Sequence, residues 1–170
     1  MSRVTVGIWS NETSFYVAMQ DTIGMVCSGV GGYILGGSGF RLLMIGNPPQ
    51  NAEHEFAHVV TLNINHNISN NPRWLWEAVA VYEAKEFFEP ASLSYMSPGI
   101  PTLDQLDVAY DQGFWVYQVG YVLIEYVVET WGMDTVIALI RAHGDVAGVL
   151  GITVAEFEGG WHAWLEREYF

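Results

Sequence analysis

His54-Glu55-Phe56-Ala57-His58 sets two imidazoles four residues apart with a carboxylate between them. Residues four apart lie one turn above each other on an α-helix. Both rings then face the same way and can reach one metal ion, while Glu55 turns toward the flank of the same site. Read alone, these five residues also suit an ordinary amphipathic helix whose histidines belong to the core. A two-histidine pair is short of a third protein ligand, so a metal site requires one further along the chain.

A carboxylate stands at a helical position downstream. After a polar connector over Asn63 to Asn71, the run Pro72-Arg73-Trp74-Leu75-Trp76-Glu77-Ala78-Val79-Ala80-Val81-Tyr82-Glu83 reads as a second helix that opens on proline. Eighteen residues separate His58 from Glu77, enough to end one helix, turn and bring a second one back. An isolated Glu77 would read as a solvated helix charge. Together with the histidine pair it completes the His, His, Glu set of a catalytic zinc site, with one position left for water. Another divalent metal would suit the same donors.

The two motifs together resemble the gluzincin metallopeptidases, nearest to their aminopeptidase-N-like and peptidase MA-like branches. The second helix of that group reads W-L-x-E-G-x-A-x-Y, matched here by Trp74, Leu75, Glu77, Ala80 and Tyr82. The chain departs at Ala78, where the group usually has glycine. The resemblance implies a zincin-like α+β fold, a zinc ion (Zn2+) on His54, His58 and Glu77, and Glu55 as the general base of peptide-bond hydrolysis. Tyr117-Gln118-Val119-Gly120-Tyr121-Val122-Leu123 is similar to the Y-x-x-G-x-x-L segment of the same enzymes. That likeness makes Tyr117 the candidate for stabilising the oxyanion, with Tyr110 and Tyr121 as alternatives. Tyr117 as a plain core tyrosine is an equal reading.

Metal-bound histidine usually passes its other N–H to an acceptor, a role open to Glu83, which otherwise reads as a solvated carboxylate. His143, an alternative oxyanion contact, more plainly suggests a helix C-terminal charge interaction. The chain has no G-x-M-E-N segment, the element with which aminopeptidases of this group grip a free N-terminus. The expectation is therefore an endopeptidase acting on a peptide or protein substrate. A different class of reading is a non-catalytic domain that keeps the fold and the zinc for stability or partner binding; the presence of Glu55 speaks against it.

A length of 170 residues, 51% of them apolar and 15% charged, predicts a single folded domain over 1–170 rather than disorder. A formal charge of -13 argues against nucleic-acid or anionic-membrane partners, because both demand a basic footprint. Cys27 is the only cysteine, so no internal disulfide forms. The most apolar stretch, Phe114 to Val128, is too short to span a bilayer and is broken by Gln118, Gly120 and Glu125, so no transmembrane segment is expected. No signal peptide is visible, and the compartment stays open.

About 1–46 reads as β-rich and about 51–170 as helical, an α+β arrangement with a small sheet layered on the helices. Strands are expected over Arg3 to Trp9, Gly24 to Ser28, Gly32 to Leu35 and Phe40 to Ile45, from alternation and from the Gly36-Gly37-Ser38-Gly39 turn. A short helix from Ser10 or Asn11 to Gln20 interrupts them. Asn51 is the expected cap of the metal helix. Helices follow over Trp74 to about Phe88, Thr102 to Tyr110, Asp111 to Trp131 and Met133 to His143. A last one starts at Thr153, whose spacing to Glu156 is a capping box, and runs to about Glu168.

Overall fold

Alternating valine and isoleucine at positions 4, 6 and 8 favour extended backbone, and Val6 and Ile8 lie in the first strand of a three-stranded sheet. The computed structural model describes residues 3–93, 96, 99–108 and 115–170. Within them β1 (Thr5–Trp9), β2 (Gly32–Ile34) and β3 (Gly39–Leu43) make a sheet of order β1-β3-β2. β1 runs parallel to β3 and β2 antiparallel to it. The helices are α1 (Glu12–Ile23), α2 (Pro48–Ile64), α3 (Arg73–Glu83), α4 (Leu103–Leu106), α5 (Trp115–Trp131), α6 (Met133–Arg141), α7 (Val146–Leu150) and α8 (Val154–Tyr169). The architecture is α+β, as expected.

The first helix differs from its expected bounds. α1 starts after Asn11, whose side chain accepts from the Ser14 N–H, and runs to Ile23 because Gly24 closes it in the left-handed conformation. A residue so used cannot begin a strand, and the expected strand over Gly24 to Ser28 is a loop. That loop is tied to α1 by the Cys27 N–H to Met19 Sδ and by the Gly29 N–H to the Tyr16 hydroxyl. Similarly, α2 begins at Pro48 instead of near Asn51, since a proline in the first turn lacks only an N–H that would be unpaired there anyway.

The sheet is covered on both faces. Phe15 and Met19 of α1 pack on Tyr33 and Leu43 on one side, and Val59 of α2 packs on Phe40 and Leu42 on the other. The main core lies among α3, α5, α6 and α8, around Leu75, Leu123, Leu139, Phe157 and Trp161. Full burial of each such side chain contributes roughly 1.5–3 kcal/mol. α5 is stopped at Gly132, and α8 opens with both bonds of the Thr153–Glu156 capping box. Of the expected helix over Thr102 to Tyr110, α4 is one turn, and Ala109 and Tyr110 lie outside the described residues, as does the expected start of α5 at Asp111. α7 was not expected; Asp145 caps its five residues by accepting from the Gly148 N–H. No described helix is long and apolar enough to cross a membrane.

Candidate metal centre

α2 presents His54, Glu55 and His58 on the face turned toward β2, and α3 brings Glu77 to meet them one turn from its start. The N-terminus of α3 is fixed from a distance: the Asp107 carboxylate accepts from the Trp74 N–H at 2.8 Å. Glu77 Oε2 stands 3.4 Å from His54 Nε2 and 3.5 Å from His58 Nε2. The three side chains are 2%, 12% and 7% exposed, in the order Glu77, His54, His58. Their potential ligand atoms all lie within 4.8 Å of one another, and the group could hold a metal ion. A tetrahedral ion bound at about 2.0–2.1 Å sets its ligand atoms roughly 3.3–3.4 Å apart, close to both carboxylate distances.

Each imidazole is held by a different device. His54 Nδ1 lies 3.0 Å from Glu86 Oε1, which leaves Nε2 directed at Glu77. The His58 ring stacks on Trp76 with centroids 4.0 Å apart and planes at 10°. His58 Nδ1 is buried without a hydrogen-bond partner among the described residues. Burial lowers the affinity of His58 for a proton, against the pull of Glu77. In His54 the same burial effect is outweighed by Glu77 and Glu86, and the value rises to about 10. Burial of Glu77 is likewise overcome, by hydrogen bonds from both histidines, and its carboxyl stays well below the usual range. A cation placed among these groups would meet two carboxylates, Glu77 and Glu86, already tied to the rings.

The carboxylate that orients His54 is Glu86, and Glu83 is the exposed helix carboxylate that its alternative reading gave. Six residues past Glu77 on a helix is a rotation of about 240°, so Glu83 faces elsewhere. It borders a cavity of about 490 Å³ behind α2, walled by Phe56, Val60, Ile64, Val136 and Ile140. Glu86 returns to the site because α3 ends at Glu83 instead of near Phe88. Lys85 takes φ 54°, its N–H donates to the Tyr82 carbonyl, and the Glu86 N–H donates to the Val81 carbonyl at 2.9 Å. This is a Schellman closure with lysine where glycine is usual.

The triad opens on a cleft of about 740 Å³ bounded by the α1–β2 loop, β2, α2, α3 and the first turns of α5. Glu55 lines it beside the triad. Burial raises the Glu55 carboxyl to about 7, with His54 drawing it down and Glu77 and Glu86 adding to the rise. Gly32 of β2 lies so near that a Cβ there would stand 2.7 Å from Glu55 Cγ. Tyr117 also lines the cleft, its ring 6.2 Å from that of His54, with the Arg73 guanidinium 5.7 Å from its centroid. Of the alternatives, Tyr121 packs on Tyr82 and Phe87 away from the cleft, and Tyr110 lies outside the described residues. His143 is an exposed residue at φ 51° with Nδ1 3.2 Å from the Asn71 carbonyl, and it is not among the described residues lining the cleft.

No protein-family model, curated protein or solved structure matches this chain.

Proposed function

We propose that the protein is a zinc-dependent hydrolase of peptide bonds, of the gluzincin type, cutting within chains. The observation that carries this reading is the placement of Glu55 in the same cleft as the convergent His54, His58 and Glu77. A binding or purely structural metal site has no need of a fourth, ionisable side chain facing open space. Zinc bound there would acidify a water and polarise a carbonyl.

The protein groups supply the remainder. Glu55 takes the proton of the attacking water and passes it to the leaving amine, a transfer suited to a carboxylate that lines the cleft beside the triad. Tyr117 is the candidate donor to the developing oxyanion. β2 is an edge strand, and its ladder with β3 turns the backbone groups of Gly32 and Ile34 outward, where an extended peptide can add as a further strand. Among the described residues lining the cleft none is Lys or Arg, which fits a neutral or cationic chain segment rather than a free C-terminal carboxylate.

The test is zinc content followed by cleavage of an unstructured protein, with and without chelator. Cleavage that needs the metal and falls about a hundredfold or more in Glu55→Gln, at unchanged zinc content, is the expected result. Stoichiometric zinc with no cleavage of any peptide would favour a zinc-stabilised binding module instead.

A further inference from the structure

The other edge of the sheet carries a separate inference. β1 ends the order β1-β3-β2, and its outer side is met by no described strand. The parallel register, with the Thr5 N–H donating to Ser38 and the Met44 N–H donating to the Trp9 carbonyl, turns the backbone groups of Thr5, Gly7 and Trp9 toward β3. The N–H and C=O of Val6 and Ile8 therefore point outward. Their side chains share a face with Phe40 and Leu42, but α2 covers only those two; Val6 is 45% and Ile8 64% exposed, with Met44 exposed beyond them. Edge strands of folded proteins are normally blunted by charge, proline, a bulge or a covering element. Thr5-Val6-Gly7-Ile8-Trp9 has no charge and no proline.

We propose that two copies of this chain pair through β1, antiparallel, about a two-fold axis at Gly7. That register is self-complementary. Val6 falls opposite Ile8 of the second copy, and Ile8 opposite Val6, so the four outward N–H and C=O groups of each strand are satisfied in two hydrogen-bonded pairs flanking a Gly7–Gly7 pair. The exposed apolar side chains then meet across the axis on one face. Charge favours the same register: in an antiparallel pair about Gly7, the end of one strand that follows Arg3 lies beside the end of the other at which α1 opens with Glu12, and the symmetry repeats the arrangement. With six basic residues against nineteen acidic ones, few placements offer such a match. The product is a six-stranded sheet whose two outer edges are both β2, so each cleft stays open.

A strand pair of this length buries less than a standard interface, so the dimer depends on concentration. Sedimentation equilibrium of the full chain over roughly a hundredfold concentration range should show the mass rising from 19.0 kDa toward twice that value. Ile8→Lys, at an exposed position, should raise the dissociation constant about tenfold or more while circular dichroism, and Tm measured at concentrations where the parent is monomeric, stay at parental values. Arg3→Glu should weaken the dimer, and Arg3→Glu with Glu12→Lys should restore it. A parent that remains monomeric throughout, or a dimer indifferent to Ile8→Lys, would overturn the proposal, as would a charge exchange that fails to restore pairing.

Discussion

Gly120 of α5 rests directly against Ala78 of α3: a Cβ added at Gly120 would stand 2.8 Å from the Ala78 Cα and 3.1 Å from its Cβ. The close approach that glycine at position 78 would permit is obtained from the opposite helix. The methyl group of Ala78 thus has its room, and α3 keeps the position from which Glu77 reaches the histidines. Gly120→Ala should lower stability by about 1–3 kcal/mol through overpacking and weaken metal binding together with it. Ala78→Gly should cost about 1 kcal/mol of helix propensity and leave metal affinity near the parental value. Thermal unfolding and metal titration of the two variants make the comparison; equal effects would show that the contact does not position α3.

Glu86→Gln should reduce metal affinity by about 10–100-fold, because the His54 ring loses its charged acceptor at Nδ1. Glu83→Gln, on the same stretch but facing the rear cavity, should change it little. Competition titration with a chromogenic chelator distinguishes them, and the reverse ranking would give Glu83 the orienting role.

The Glu55 carboxyl, lifted by burial to about 7 from an ordinary 4.5, gives the metal-free protein a pH signature. An acid whose folded value exceeds its unfolded one holds its proton longer in the folded state, so its contribution to stability falls as pH rises from about 4.5 to about 7. Glu55→Gln lacks that loss. Metal-free Glu55→Gln should therefore be more stable than the metal-free parent above pH 7, by up to about 3 kcal/mol, with the difference closing below pH 4.5. Urea denaturation of both proteins at the two ends of this range decides it; a gap independent of pH would mean that the carboxyl is not buried as described.

Gly32→Ala should displace Glu55 without touching the metal ligands, since the added methyl would also stand 2.8 Å from Glu55 Oε1 and 3.0 Å from the Arg41 carbonyl. Zinc content unchanged and peptide cleavage reduced at least about tenfold is the expected pair of results. Unchanged cleavage would show that Glu55 acts from another position.

The three ligand candidates were legible because each is encoded locally: a four-residue spacing on α2 and an early position on α3. Their convergence needed only that two successive helices pack together. Glu86 was illegible for a definite reason. Its return depends on a left-handed residue, and the sequence signal for that conformation is glycine, whereas position 85 is lysine. Gly24 carried the opposite ambiguity, reading as a strand start when it is a helix stop. Gly32 read as the start of a strand and Gly120 as a break in an apolar helix, because what they make room for comes from elsewhere in the chain. The strand order was equally unreadable, as pairing partners follow from packing and not from alternation.

Lys85 carries a consequence beyond the helix it ends. A left-handed conformation costs a side-chain-bearing residue about 1–2 kcal/mol relative to the right-handed one, and glycine in its place would relieve that while admitting many more backbone settings. With lysine, the joint between α3 and the strap that bears Glu86 has fewer stops to choose from. The carboxylate aligning His54 is therefore mounted on a hinge with little play, and local discomfort is the source of its precision.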